Sequence, residues 1–354
     1  MRTAVLRATA CWLVFPLGMS CASLLAAERG TKMEKVAYGG WPNCIRMSNG
    51  TVELIATTDV GPRVIRFGFV GQDNEFFEDK EQMGKTNADE WLAFGGHRLW
   101  LAPEAKPRSY FPDSQPVKAV QQGHTLRLIQ PVERAEGAQA GLSNGFQKEI
   151  EITLAPQGSH VILVHKLTNH NLWDVEVAPW TLTVMGAKGK AILPQEPYSP
   201  HPDIPDTPGQ VIDKRFYLPV RTLVLWSYTN LQDPRWVFTS KYLILKQDPE
   251  AKRPLKIGMS NRQNWGAYLR GGHLFVKKVV YQEGATYPDH GCNFETFTNP
   301  EMLELESLGP LTKVPPGSSV THREDWHLFD GVIADDTDAG IDAAVLPKVR
   351  SVME

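Results

Sequence analysis

Short runs in which apolar and polar residues alternate recur along the chain, and they constrain its fold more than any other feature. These runs are TVELIAT, RVIRFGF, TLRLIQ, KEIEITL, HVILVHKL, VEVAPWTLTVM, TLVLW, KYLIL, HLFVKKVVY, MLELES and DWHLF. A period of two with β-branched and aromatic residues is typical of strands that bury one face. Turn-forming sequences such as SNG, GQDN, RGGH and PPGSS separate the runs. The pattern predicts an all-β protein.

Helical patterning is scarce by comparison. The clearest case is the C-terminal stretch DTDAGIDAAVLPKV, in which Asp336 or Thr337 could cap a short helix that ends near Pro347. The chain has 354 residues with 26 prolines and 29 glycines, enough turn-forming residues to connect many strands. We therefore expect one large antiparallel β-sandwich with few short helices. Two packed β domains are the alternative, although no change in composition marks a boundary.

The N-terminus has the layout of a secretory signal. Arg2 and Arg7 precede an apolar stretch that reaches Ala27 and ends in the small-residue sequence SLLAA. This layout predicts a signal peptide over residues 1–27, a mature domain over residues 28–354, and export to the periplasm or the extracellular space.

Two alternatives concern the same segment. A transmembrane anchor is disfavoured because Pro16, Gly18 and Ser20 interrupt the apolar stretch. A lipoprotein signal is possible, since LGMSC places Cys21 after small residues and would make it the site of lipid anchoring.

Charge and cysteine content narrow the function classes. Removing Arg2 and Arg7 from the 37 basic side chains leaves 35 against 40 acidic ones, so the mature surface is weakly acidic and a nucleic-acid partner is not expected. Cys44 and Cys292 are the cysteines of the mature chain. In an oxidising compartment they could form one disulfide, and two separate buried thiols are the alternative.

Four stretches together resemble the galactose mutarotase-like superfamily, which includes the aldose 1-epimerases. They are NGTVELIATTDVGPRVIRFGF, FGGHRLWLAPE, VILVHKLTNHNLWDVEVAPWTLTVM and VPPGSSVTHREDWHLF. The resemblance spans residues 36 to 330 and is closest to an uncharacterised bacterial subfamily with a Gly-Gly-His-Arg-Leu-Trp segment. It implies a β-supersandwich, a carbohydrate ligand and a cleft lined by the GGHRLWLAPE segment.

The resemblance also implies an acid and a base for the interconversion of sugar anomers. Family members place the acid, a histidine, on a central binding strand, where this chain has Trp180. The candidate acids here are therefore His97 and His290, and the candidate bases are Glu295 and Glu304. A histidine and a carboxylate suit this reaction because their ordinary pKa values, about 6.5 and about 4.3, bracket a mildly acidic to neutral range.

A pyranose has an apolar C–H face and a polar rim, so aromatic rings beside amide, guanidinium and carboxylate groups favour its binding. The candidate substrate-binding residues with this character are Arg63, Arg98, Trp100, Glu104, Trp180, Asn261, Arg262 and Trp265. The last three belong to SNRQNWGAY, which we interpret as loop-like.

Several of these residues also have purely structural interpretations. Arg98 could form an ion pair with Glu104, and His97 could be an interior histidine. Glu304 and Glu306 alternate with leucines, which is typical of a solvent-facing row on a half-buried strand.

The sequence gives little support for hydrolase, nucleotide-binding or metal-dependent chemistry. The sequence has no GxSxG, P-loop, HExxH or strand-associated GxGxxG motif, and HGC, HREDWH and DDTDAG match no established metal-binding spacing. We predict no metal and no cofactor.

The sequence thus predicts a secreted, monomeric carbohydrate-binding protein similar to aldose 1-epimerases, in which Arg98 orients the sugar. A non-catalytic carbohydrate-binding protein of the envelope is one alternative. A polysaccharide lyase is another, with Asn293, Arg262 and Tyr268 as its candidate site, and a purely structural envelope protein is a third.

Overall fold

A computed structural model of the chain describes residues 30–213 and 217–353. Two antiparallel sheets face one another in this part of the chain. The predicted signal peptide and Cys21 lie outside the described residues. Among the described residues, no helix has both the length and the apolar character needed to cross a membrane.

The first sheet has eleven strands. Numbered along the chain, they are β1 (Lys32–Tyr38), β2 (Trp41–Ser48), β3 (Val52–Thr57), β4 (Arg63–Phe69), β5 (His97–Ala102), β10 (Val175–Met185), β12 (Leu223–Leu225), β15 (Leu255–Met259), β18 (Phe294–Thr298), β19 (Leu303–Leu308) and β20 (Thr312–Val314). The spatial order is β1-β2-β3-β4-β5-β10-β19-β18-β15-β12, and β20 pairs with β10. The long β10 strand therefore lies between β5 and β19 near the middle of the sheet.

The second sheet has ten strands. They are β6 (Lys118–Gln122), β7 (Thr125–Ile129), β8 (Phe146–Leu154), β9 (Val161–Asn169), β11 (Lys190–Pro194), β13 (Trp236–Phe238), β14 (Tyr242–Lys246), β16 (Trp265–Arg270), β17 (His273–Lys278) and β21 (Ser319–Phe329). The spatial order is β13-β14-β11-β16-β17-β21-β9-β8-β7-β6. Three short α-helices complete this part of the chain: α1 (Pro288–Gly291), α2 (Asp338–Ala344) and α3 (Leu346–Met353).

The main core lies between the two sheets. Phe67 of the first sheet packs against Phe275 and Trp326 of the second, with ring centroids 6.1 and 5.8 Å apart. Leu99 and Leu101 of β5 enter the same cluster. Because successive side chains of a strand point to opposite faces, Arg98 and Trp100, which alternate with these leucines, point away from the core. That alternation creates the candidate site on the other face.

The fold class predicted from the alternating runs is confirmed. The runs correspond to strands, and β10 covers the whole of VEVAPWTLTVM. Ten strands have no counterpart among these runs: β1, β2, β5, β6, β11, β13, β15, β16, β18 and β20. The loop-like interpretation of SNRQNWGAY is wrong in part, because its second half belongs to β16.

The predicted C-terminal helix is present as α2, and a second helix follows it. Thr337 caps α2, and its side chain accepts a hydrogen bond of 3.0 Å from the Gly340 backbone N–H. The helix ends at Ala344, near Pro347 as predicted, and Pro347 itself lies in the first turn of α3, which the pattern did not predict. A proline is tolerated there since the first turn of a helix has no internal partner for its N–H. Both helices cover an apolar cluster on the outer face of the second sheet.

The predicted disulfide is wrong, and the alternative of two buried thiols fits. Cys44 and Cys292 are both buried and unbonded. Cys44 belongs to β2, whereas Cys292 precedes β18, which lies six strand positions away. At a strand spacing of about 4.8 Å this separation is roughly 29 Å along the sheet, far beyond the reach of a disulfide.

We expect both thiols to be unmodified in the folded protein. Alkylation in denaturant without reductant, followed by peptide mass spectrometry, should label both Cys44 and Cys292. The midpoint of thermal unfolding should be the same with and without reductant. A Cys44–Cys292 linked peptide would contradict this packing.

Candidate functional site

A cleft of about 370 Å³ lies on the outer face of the first sheet, over β5, β10 and β19. Its lining combines aromatic rings with charged groups. The residues are Phe77, Trp91, Ala93, Gly95, Arg98, Trp100, Glu104, Tyr110, Trp180, Leu182, Val184, Tyr228, Lys256, Phe297, Asn299, Met302 and Glu304. Since Trp100 and Leu99 are neighbours on β5, the strand that fills the core also lines the cleft.

Four aromatic side chains form one wall of the cleft. The Trp100 ring centroid lies 4.9 Å from that of Trp91, 4.8 Å from that of Tyr110 and 5.3 Å from that of Trp180. Trp100 and Trp180 are paired in register across β5 and β10. The wall is therefore held by the sheet itself, with Trp91 added from the preceding loop. We call Trp91, Trp100, Tyr110 and Trp180 the aromatic wall.

Arg98 and Glu304 form a buried ion pair beside the aromatic wall. Arg98 Nη2 lies 2.8 Å from Glu304 Oε1, and the guanidinium also lies over the rings of Trp91 and Trp100. The pairing with Glu104 considered from the sequence is wrong in this structure, since Glu104 instead accepts a hydrogen bond from the Tyr110 hydroxyl. The Glu104 carboxylate still lines the cleft.

A second group of charges centres on Lys256 of β15. Its ammonium lies 2.8 Å from Glu295 Oε2 and 3.0 Å from Glu306 Oε2, and 4.7 Å from the ring centroids of both Trp180 and Trp226. Trp180 Nε1–H donates a 2.8 Å hydrogen bond to Glu306 Oε2. The Lys256 ammonium thus forms ion pairs with the carboxylates of both Glu295 and Glu306.

The pKa values of these groups follow from their burial. Burial raises the pKa of Glu295 well above its ordinary value, although the Lys256 ammonium opposes the shift. Burial likewise raises the pKa of Glu306. Burial alone would lower the pKa of Lys256, but the carboxylates of Glu306 and Glu295 outweigh it and hold that pKa well above its ordinary value. Lys256 therefore stays charged, and a carboxyl of the pair retains a proton readily.

A second lobe of about 330 Å³ continues from the cleft. Glu104, Tyr110 and Trp180 line both spaces. The other residues of the second lobe are Ala105, Lys106, Trp226, Asp289 and Glu295. The shared lining makes the two lobes parts of one groove.

Six of the predicted site residues meet in this groove: Arg98, Trp100, Glu104, Trp180, Glu295 and Glu304. The solvent-facing interpretation of the β19 glutamates is wrong. Every residue of β19 is buried, so the leucines face the core and the glutamates face the groove. Both faces of the strand are covered, which a period-two pattern does not reveal.

His97 lies on the other side of the sheet from Arg98. It is fully buried between the sheets, where its Nε2 lies 2.7 Å from His165 Nε2 and its Nδ1 lies 2.9 Å from Thr183 Oγ1. Adjacent residues of a strand cannot both face one ligand. The expectation that His97 and Arg98 both contact the sugar is therefore wrong, and the interior-histidine alternative fits.

The histidines belong to a polar network beneath the groove. Glu324 Oε2 accepts a hydrogen bond from Trp326 Nε1–H, and Glu324 Oε1 lies 2.9 Å from the Lys277 ammonium. The ligand atoms of His97, His165 and Glu324 all lie within 4.8 Å of one another, a set that could hold a cation. The Lys277 ammonium already balances the Glu324 charge, so these contacts do not require a metal.

The other predicted residues lie away from the groove. Arg63 is fully buried; it pairs with Asp113 at 2.9 Å and donates a 3.0 Å hydrogen bond to the Ala93 carbonyl. It therefore positions the segment before β5. Gly95 and Gly96 in that segment have φ of 97° and 69°, and a side chain on either would collide with neighbouring backbone. These glycines allow close chain packing, a role that the sequence pattern left open.

Asn261, Arg262, Trp265 and His290 also lie outside the groove lining. The Asn261 side chain donates a 2.7 Å hydrogen bond to the Trp265 carbonyl, and Trp265 packs in the cluster beneath α2 and α3. Arg262 is largely solvent-exposed beside Glu283, and His290 is exposed in α1. These contacts indicate structural or surface roles.

Sequence reasoning missed several groove residues, among them Trp91, Lys106, Tyr228, Lys256 and Asp289. Lys256 lies in LKIGM, a strand whose alternation is hidden because all five residues are buried. The Leu-Glu alternation of β19 does not reveal that Glu306 is buried, because the period is the same whether the polar face meets solvent or a groove.

Comparison of the sequence with protein-family models and with curated proteins gives no match. Solved structures do match. A candidate aldose 1-epimerase from Klebsiella pneumoniae superposes with a TM-score of 0.53 over 93% of each chain, at 12% identity. A galactose mutarotase-like protein from Lactobacillus casei gives 0.50 over 81% of this chain and 100% of that chain, at 10% identity.

A TPR-domain containing protein from Parabacteroides distasonis also gives 0.50, at 11% identity and over 82% of this chain. This chain spans about half (48%) of that protein's length. At such low identities the likeness concerns the fold alone. The protein has the galactose mutarotase-like fold that its sequence motifs resemble.

The buried histidines make stability depend on pH. Burial lowers the pKa of His97 well below its ordinary value, that of His165 to about 4 and that of His322 to about 3. Their stabilising contribution is therefore complete above the unfolded-state pKa of about 6.5 and is lost as the pH falls towards the folded-state values. For His165 alone the loss at pH 5 is about 2 kcal/mol.

We expect the free energy of unfolding, measured by urea denaturation, to fall steadily between pH 7 and pH 5. His165→Gln should flatten that dependence, whereas His124→Gln, at an exposed histidine, should leave it unchanged. A free energy of unfolding that stays constant from pH 7 to pH 5 would contradict a neutral histidine network.

Proposed function

We propose that this protein binds carbohydrate in the groove over β5, β10 and β19. The observation that carries the proposal is the aromatic wall beside the Arg98–Glu304 ion pair. An aromatic ring can pack against the apolar C–H face of a pyranose, and charged groups beside it can exchange hydrogen bonds with the sugar hydroxyls. The first lobe, at about 370 Å³, is within the range of small-molecule sites.

The fold supports this proposal. Two structural neighbours, a galactose mutarotase-like protein and a candidate aldose 1-epimerase, are named for sugar chemistry. The proposal for the present chain depends on its own groove. Export remains part of it on the evidence of the N-terminal sequence, with Cys21 as a candidate lipid anchor, and so does a monomeric state.

Interconversion of sugar anomers is a second candidate function. The position of the Glu295 carboxyl and its raised pKa favour it. This carboxyl lines the second lobe and keeps a proton readily because burial raises its pKa. That proton could pass to the ring oxygen of a bound sugar while the Glu104 carboxylate accepts the proton of the anomeric hydroxyl. The ring would then open, rotate about the C1–C2 bond and close with the two roles reversed.

The lyase alternative receives less support from the contacts. Its candidate base, Tyr268, is buried and donates a hydrogen bond to the Gly186 carbonyl. Its candidate amide, Asn293, is buried against Asn261. Neither side chain lines the groove, so they do not provide a base and a uronate-neutralising group on one substrate.

Sugar binding should depend on the aromatic wall. In saturation-transfer NMR and calorimetry against a panel of monosaccharides and disaccharides, we expect binding that Trp91→Ala weakens about ten-fold through loss of a stacking surface. Trp91 is half-buried, so this change is compatible with folding. Trp173→Ala, at an exposed tryptophan outside the groove, is the matched control. Equal weakening by both variants, or no binding at all, would argue against the proposal.

Catalysis has a separate test. Exchange NMR should show faster interconversion of α and β anomers in the presence of the protein. Glu295→Gln should reduce that acceleration by about 100-fold while sugar binding persists, because an amide cannot transfer the proton. The rate should fall as rising pH ionises the carboxyl. Binding without acceleration in the wild-type protein would identify a non-catalytic sugar-binding protein.

A further inference from the structure

The second lobe differs from the first in its chemistry. Three of its lining residues are acidic, namely Glu104, Asp289 and Glu295, and among the described residues Lys106 is the basic residue of the lining. Glu295 is paired with Lys256, so Glu104 and Asp289 carry the acidic character of the lobe. The Lys106 ammonium lies over the Tyr110 ring, 5.0 Å from its centroid. In the first lobe, by contrast, Arg98 and Glu304 balance one another.

Glu295 supplies an independent sign that a ligand belongs here. Its side chain is fully buried and lines the lobe, yet its Oε1 accepts no hydrogen bond from any described residue. The Lys256 ammonium near Oε2 is shared with Glu306, whose Oε1 also lacks a donor. Buried carboxylate oxygens are normally hydrogen-bonded, so these call for a donor from outside the chain.

The lobe also offers a surface for a cation. The Trp226 ring lines it, and a positive group over an indole face is stabilised electrostatically. Asp289 reaches the lobe from α1, where its backbone has the left-handed φ of 48°. A non-glycine residue in that conformation is uncommon, and Asp and Asn are among the side chains that tolerate it best.

We propose that the second lobe binds a sugar unit that carries a free amino group, with its ammonium held by Asp289 and Glu104 over Trp226 and its hydroxyls donating to Glu295. This inference rests on the proposed function, because it specifies the sugar within the same groove. The first lobe then holds the adjoining unit of the saccharide against the aromatic wall. An acidic lobe disfavours uronates and phosphorylated or sulfated sugars, which would meet like charge.

The test uses three disaccharides with the same linkage. The β-1,4-linked dimer of glucosamine carries ammonium groups, its N-acetylated form carries neutral amides, and the glucose dimer carries hydroxyls. We expect calorimetry at pH 6, where the amines are protonated, to give about ten-fold tighter binding of the glucosamine dimer than of either other sugar, as a charge-assisted hydrogen bond provides. Added salt should reduce this preference, because the interaction is between charges.

Asp289→Asn removes the charge and keeps a side chain that tolerates the left-handed backbone. It should abolish most of the preference for the glucosamine dimer and leave binding of the glucose dimer nearly unchanged. Glu250→Gln, at an exposed carboxylate outside the groove lining, removes the same charge from the protein as a whole and should leave the preference intact. Circular dichroism would verify that both variants are folded.

The outcomes separate this inference from the proposed function. Equal binding of all three dimers, weakened by Trp91→Ala, would overturn the amino-sugar inference and leave carbohydrate binding in place. A preference that Asp289→Asn and Glu250→Gln reduce equally would also overturn it, since it would arise from overall charge. No binding of any dimer would overturn both.

Discussion

Strands β5, β10 and β19 each contribute one face to the core and the other to the groove, and this division determines both the packing and the site. On β5, Leu99 and Leu101 fill the core between the sheets while Arg98 and Trp100 line the groove. A shift of one residue in the pairing would exchange these sets, placing a guanidinium in the core. The register that buries the leucines is therefore the same one that assembles the groove.

The groove also concentrates charge where water is scarce. Removing a charged group from water costs on the order of several kcal/mol, and an ion pair repays this only with good geometry and further hydrogen bonds. Arg98 and Glu304 satisfy that condition in part, with the guanidinium also over two indole rings. The Lys256 ammonium pairs with both Glu295 and Glu306, and Oε1 of each carboxylate is left without a hydrogen-bond donor. A bound polyhydroxyl or amino ligand would supply those donors. These buried charges therefore favour a ligand-binding role over a purely stabilising one.

Much of the fold and half of the site could be predicted from the sequence. Alternating runs predict strands because a half-buried strand needs that pattern, and the Gly-Gly-His-Arg-Leu-Trp segment does line the groove through Arg98 and Trp100. The pattern fails where both faces are buried, as on β19 and β15, because periodicity then carries no information about what covers each face. It also cannot tell which of two neighbours, His97 or Arg98, faces the ligand. Lys256 joins Glu295 and Glu306 through pairing of strands that are distant in sequence.

Placement of a sugar against the aromatic wall can be observed by two-dimensional NMR of the indole N–H groups during titration with the glucosamine and glucose dimers. We expect the resonances of Trp91, Trp100 and Trp180, assigned through single substitutions, to shift with saturation, while those of exposed Trp173 and core Trp326 stay in place. Shifts confined to tryptophans outside the groove, or no shifts at saturating sugar, would contradict this placement.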